Sequence, residues 1–196
     1  MSVTPNRVGG GAAPVDELAG VLTASAPADE TPADDTLTDD VSIERPGVDD
    51  GAALWRIARD SGSLDLNSSY AYLLWCRDFA DTSVVARRRG AVVGFISGYL
   101  RPAAPRTVVV WQVAVDSSCR GKGVAARMLD GLVNRLAPMG VRYLETTVTA
   151  DNTASNRLFS SFAARHGADM DRAELFGRAD FPDGHDPEFL YRIGPL

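Results

Sequence analysis

A chain of 196 residues, 45% of them hydrophobic, suffices for one well-buried domain, and no apolar run approaches the ~20 residues that span a bilayer. The formal charge is -6, but nine of the 26 acids and one of the 20 bases (Arg7) lie in residues 1–44, so the remainder is near neutral and lacks the basic surface that nucleic acid demands. Two cysteines, Cys76 and Cys119, fit a reducing compartment, and the N-terminus lacks the apolar core of a secretion signal, so a cytoplasmic location is expected.

Residues 1–40 include AAPVDELAG and SAPADETPADDTLTDD. They carry no aromatic residue and little periodicity, which predicts a disordered acidic tail that solvates rather than docks. The folded domain is expected over 41–196. VSIER at 41–45 alternates like a strand. Residues 49–62 read as a helix capped by Asp49 or Asp50, with Leu54, Trp55 and Ala58 on one side. Asn67 is placed to cap a second helix carrying Tyr70, Leu73, Leu74 and Phe79. Residues 82–100 predict a hairpin turning near 88–90, and RPAAPR at 101–106 a proline-marked loop. TVVVWQVAV at 107–115 is apolar enough for a central strand covered on both faces. A helical stripe runs from Val124 to Leu136 and ends at Pro138 and Gly140. VRYLETTVT predicts a strand, 152–167 a helix closed by Gly167, and DRAELF and EFLYRI late strands. The order predicts an α/β fold, one mixed central β-sheet flanked by helices on both faces.

The stretch CRGKGVA at 119–125 joins the apolar strand to the third helix. A helix start offers free backbone N–H groups and a partial positive charge. Gly121 and Gly123 allow a ligand close to the backbone, and Arg120 and Lys122 add full charge. These residues describe either a phosphate cradle or a glycine-rich link with solvated cations. The letters also fit a dinucleotide fingerprint, Gly121-x-Gly123-x-x-Ala126 with Glu145 as the ribose acid. That reading is rejected, because DSSCR separates the strand from the first glycine and too few strands follow.

Arg120-x-x-Gly123-x-Ala125 resembles the pyrophosphate signature of the GNAT acetyltransferases, and the order of elements over 41–194 is similar to that family's. The resemblance implies an acetyl-CoA site and no metal. The amides of Gly121, Lys122, Gly123, Val124 and Ala125 would hold the pyrophosphate beside Arg120. Backbone at Val113 and Val115 would pair with the pantetheine arm, admitted where the strand splays from 141–149. Asn152 and Asn156, at i and i+4, would reach the cofactor, or serve as a cap and a surface residue. Phe159 would also contact the cofactor, at the position where many relatives use a tyrosine acid, and the central strand, where many carry a glutamate base, here holds no acid.

LDLNSSYAYLL at 64–74, VVGFISGYL with VVVWQVAV, and GHDPEFLYRI at 184–193 resemble the L-2,4-diaminobutyrate acetyltransferases of ectoine biosynthesis. The implied reaction acetylates the 4-amino group with acetyl-CoA, in osmotic-stress metabolism, by a homodimer. Asp65 and Glu188 would hold ammonium groups and assist deprotonation. Tyr70 would offer a hydroxyl, Trp111 wall the pocket and His185 position Glu188. Each has a plainer reading: Asp65 a helix cap, Trp111 core, Glu188 a strand-edge charge. Two other functions stay open, a broader amine or polyamine acetyltransferase and a non-catalytic acyl-CoA sensor signalling through the tail.

Overall fold

A computed structural model describes residues 40–196; the tail expected over 1–40 lies, but for Asp40, outside the described residues. Strand β1 (Val41–Glu44) leads through a short 3-10 turn into α1 (Gly51–Ser61). Its apolar residues Leu54, Ile57 and Ala58 recur at helical spacing and are buried, and Gly62 ends it at φ 65°. The second helix, α2 (Ser69–Asp78), starts one residue later than expected, with Ser68 rather than Asn67 at the N-cap. Strands β2 (Val84–Arg88) and β3 (Ala91–Arg101) form the expected hairpin, turning through Arg89 and Gly90, both at positive φ.

The predicted loop at 101–106 is largely strand. β3 and β4 (Ala104–Val115) form a second hairpin whose turn is residues 102–103. Both prolines are compatible with this: Pro102 sits in the turn, and Pro105 in β4 precedes the first residue paired with β5, Thr107. Helix α3 (Val124–Leu136) buries Met128, Leu129, Leu132 and Leu136. Strand β5 (Tyr143–Thr149), helix α4 (Thr153–His166), β6 (Met170–Phe176) and β7 (Glu188–Ile193) complete the domain.

One seven-stranded sheet takes the order β1-β2-β3-β4-β5-β7-β6. All neighbours are antiparallel except β4 and β5, which are joined through α3 and run parallel. On one face α1 and α2 pack Leu54, Ile57 and Tyr72 against Phe95. On the other, α3 and α4 pack Met128, Leu132 and Phe162 against Ile96, Val108 and Leu144. Helices therefore cover both faces of a mixed sheet, as the order of elements predicts.

Strand β4 is irregular on both of its edges. Ser97 pairs with Gln112 but Gly98 pairs with Val110, so Trp111 is an extra, bulged residue. Gly98 is required opposite it, since a Cβ there would meet the Thr82 and Val109 carbonyl oxygens at 2.7 and 2.9 Å. Pairing of β4 with β5 stops at Val110 and Thr146, although β4 runs on to Val115 and β5 to Thr149. The sheet is open between the two strands from the bulge onward. Among the described residues no helix is long and apolar enough to cross a membrane.

Candidate active site

The opening in the sheet points at the start of α3. Asp116 donates its N–H to Val93 on β3. Successive residues of a strand alternate sides, so the backbone groups of Val113 and Val115 face the opening. There the Val115 carbonyl accepts from Arg120 Nε at 3.0 Å. A 3-10 turn, Ser117–Cys119, carries the chain from β4 to the glycines, and Asp116 caps it through Ser118. Arg56 of α1 pairs with Asp116 at 2.8 Å, and this guanidinium holds the carboxyl below the usual carboxylate range. The link is thus braced from the opposite face of the sheet.

Gly121 (φ 74°) and Gly123 (φ 71°) both adopt the left-handed region, and Gly123 is the N-cap of α3. A Cβ at either would meet no atom within 4 Å, so the space in front of the backbone is open to a ligand. The first N–H groups of α3 have no intrahelical partner. Val124 buries its side chain in the core, which leaves its amide as the group available at the helix start. Lys122 Nζ donates to the Ser118 carbonyl at 3.0 Å, folding its charge back over the cradle. The geometry and charge suit a diphosphate, and the open edge of β4 beyond it suits an amide-bearing arm.

Three further residues proposed for the cofactor are engaged by the protein itself. Asn152 is the N-cap of α4 and accepts from the Ser155 N–H at 3.0 Å. Asn156 accepts from the Tyr191 hydroxyl and donates to the Ala150 carbonyl at 3.3 Å. Phe159 is 1% exposed within the α3–α4 core, so its ring is covered by protein.

The residues proposed for the acceptor come from three distant segments, and three of them meet. His185 Nε2 lies 3.4 Å from Asp65 Oδ2 and 3.8 Å from Glu188 Oε1. Glu188 begins β7 opposite Thr149, at the open end of β5. Its Oε2 is buried without a hydrogen-bond partner among the described residues. Burial pushes the Glu188 carboxyl up, against the Thr147 hydroxyl and His185, which pull it down. The imidazole of His185 is held up chiefly by the Asp186 carbonyl on Nδ1, and further by Asp65 and Glu188. Asp65 itself is exposed. Two carboxylates, one of them with a buried, unsatisfied oxygen, suit a cation.

Trp111 is not core. It is 55% exposed and, with Trp75, Phe79, Tyr99, Leu100 and Pro102, lines an open apolar hollow of about 370 Å³. The bulge turns its ring out of the packed interior. Tyr70 is 64% exposed on α2. The hydroxyl that reaches the sheet is that of Tyr72, which donates to Gln112 Oε1 at 3.1 Å. Gln112 Nε2 donates in turn to the Asp65 main-chain carbonyl at 2.8 Å. Sequence reasoning missed both residues, although Gln112 is the one long polar side chain in TVVVWQVAV. Glu145, weighed as a ribose acid, is 2% exposed and held by Arg101 and Arg192 at 2.6 and 2.7 Å. Its role is structural.

The acetyltransferase (GNAT) family pattern matches residues 52–163, more than half of the chain. This chain is a GNAT acetyltransferase. An L-2,4-diaminobutyric acid acetyltransferase of Streptomyces coelicolor is 64% identical over 160 residues, 80% of this chain and 94% of that protein. One from Virgibacillus pantothenticus is 45% identical over 152 residues, 77% of this chain and 96% of the relative. Among solved structures, diaminobutyrate acetyltransferase EctA from Paenibacillus lautus, in complex with its substrate L-2,4-diaminobutyric acid and coenzyme A, superposes with a TM-score of 0.75. It is 46% identical, covering 79% of this chain and 95% of that one. Ard1 from Thermoplasma volcanium shares the fold, with a TM-score of 0.65 at 22% identity.

Proposed function

We propose that this acetyltransferase transfers the acetyl group of acetyl-CoA to the 4-amino group of L-2,4-diaminobutyrate, a cytoplasmic step of ectoine formation under osmotic stress. The observation that carries the reading is the meeting of Asp65, His185 and Glu188 beside the open edge of β4. The acceptor carries two ammonium groups and one carboxylate, and this cluster offers two carboxylates to its ammonium groups. The identity to diaminobutyrate acetyltransferases over four-fifths of the chain supports the same substrate.

Acetyl-CoA supplies a thioester whose carbonyl the neutral amine attacks: the N–C bond forms, the C–S bond breaks and coenzyme A leaves as thiolate. The amine must first lose a proton, since an alkyl ammonium with pKa near ~10 is mostly charged at neutral pH. Glu188, already raised by burial, is the acceptor placed deepest beside the opening, with water or Asp65 carrying the proton onward. The backbone N–H of Val113 faces the opening and is the donor for the negative charge that grows on the carbonyl oxygen. No tyrosine acid is needed if the leaving group departs as thiolate, with a pKa near that of cysteine, about 8.5.

A homodimer belongs to this reading. Its support is the edge strand β6, which leaves Met170, Leu175 and Phe176 36%, 41% and 47% exposed. Kinetics with diaminobutyrate, ornithine, lysine and putrescine, with NMR of the product, test the assignment. Acetylation confined to N4 of diaminobutyrate is expected. Equal turnover of all four amines would establish the broader amine acetyltransferase instead.

A further inference from the structure

Gln112 stands between the two halves of the site. Its backbone lies on β4 between the bulged Trp111 and Val113, whose amide faces the point of acyl transfer. Its side chain leaves through the other face of the sheet and reaches the loop that carries Asp65. Both ends of the carboxamide are used. Oε1 accepts from Tyr72 and Nε2 donates to the Asp65 carbonyl, which fixes the amide in one orientation. At 6% exposure, water does not compete for either bond.

Residues 62–68 are otherwise loosely held. They link α1 to α2 with no regular structure, Ser68 makes no side-chain cap bond, and Leu64 supplies apolar packing. Among the described residues, the Gln112–Asp65 bond is the hydrogen bond that ties this loop to the sheet. It sets where the Asp65 backbone stands relative to the open edge of β4, while His185, 3.4 Å from Asp65 Oδ2, meets the carboxylate itself.

We infer that Gln112 is a positioning residue that sets the distance between the bound ammonium of the acceptor and the transfer point, and so selects the diamine by chain length. This rests on diaminobutyrate being the acceptor, as proposed for this site. Diaminobutyrate and ornithine differ by one methylene, and such a difference in a fitted site is worth roughly 10- to 200-fold. A tether held at both ends of one amide supplies that fit. A free loop would let Asp65 follow a longer chain.

Gln112→Glu separates this role from packing. The glutamate keeps the size and the Tyr72 hydrogen bond but sets an acceptor against the Asp65 carbonyl. The expected result is a rise of about tenfold in the diaminobutyrate KM, a fall of about tenfold in the diaminobutyrate-to-ornithine ratio of kcat/KM, and an acetyl-CoA KM within about twofold of the parent. Gln112→Met, without charge, should reproduce the loss of selectivity. Tyr72→Phe keeps the Asp65 bond but frees the other end of the amide, and should lower the ratio by less than Gln112→Glu does. Folded variants with unchanged acceptor KM and unchanged ratio, even with a lowered Tm, would overturn the role of Gln112. A parent enzyme that does not acetylate diaminobutyrate would instead overturn the acceptor reading itself.

Discussion

At the scale of single residues, the site combines glycines at positive φ with a carboxylate, Glu188, whose buried oxygen has no partner among the described residues. Gly123→Val places a β-branched residue at φ 71° and fills open space where the diphosphate would lie. The acetyl-CoA KM should rise about tenfold or more, a loss near 1.4 kcal/mol of binding, with the acceptor KM little changed. Asp65→Asn and Glu188→Gln keep size and remove charge. A charged hydrogen bond is worth roughly 1.5–3 kcal/mol, so each should lower kcat/KM for the acceptor by about 10- to 150-fold and spare acetyl-CoA. Glu188 also carries a stability signature. A carboxyl whose pKa is raised on folding favours the folded state in acid and loses that favour as pH rises through the raised pKa. The ligand-free Glu188→Gln protein should therefore melt no lower than the parent at neutral pH, and any advantage should vanish below the ordinary glutamate pKa of about 4.3. A melting series across pH reads this directly. Phe159→Tyr inserts a hydroxyl into a position 1% exposed. An unsatisfied buried hydroxyl costs about 1–3 kcal/mol, so Tm should fall while kcat stays within about threefold.

At the scale of elements, the site exists because β4 parts from β5. The bulge at Trp111 ends the ladder, and the partners β5 would have met on β4 become the open edge. What keeps β5 in place below the opening is its other neighbour, β7, and the buried Glu145. This carboxylate receives Arg101 from the end of β3 and Arg192 from β7. Removing one partner of a fully buried pair costs roughly 3–5 kcal/mol. Here both arginines are about two-fifths exposed and recover water, so Glu145→Ala should cost about 2 kcal/mol. Urea denaturation should show the midpoint lowered with the slope unchanged.

At the scale of the whole molecule, the sheet brings to one place three segments far apart in the chain. The cradle follows β4, Asp65 sits in the loop between α1 and α2, and His185 and Glu188 lie near the C-terminus. All of these lie within residues 65–188, clear of the acidic N-terminal stretch. Removing residues 1–40 should therefore leave kcat/KM within about twofold for both substrates. Loss of turnover on that deletion would point to signalling or assembly through the tail.

Much of this was legible in the sequence because its causes are local. Helical stripes, alternating strands, glycines at helix ends and the Arg120-x-x-Gly123 loop each report a backbone geometry within a few residues. The mixed sheet and the open, glycine-rich start of α3 followed from them. The loop expected at 101–106 failed because proline marks interrupted hydrogen bonding, which a hairpin turn and an unpaired strand position both tolerate. For Trp111 the sequence offers both a pocket wall and a core position, and only the pairing with β3 reveals the extra residue that turns it out of the core. Asn152 and Asn156 have the spacing for a ligand, and the structure adds that Asn152 Oδ1 caps α4 and that Asn156 bonds Tyr191. Gln112 and Tyr72 were missed for the same reason: the bonds that give them meaning span 47 and 40 residues. The chain's local chemistry determined its elements and the glycine-rich start of α3, whereas tertiary structure decided where the sheet opens, which acids converge and which polar groups are already satisfied, because each depends on contacts between segments that sequence order does not relate.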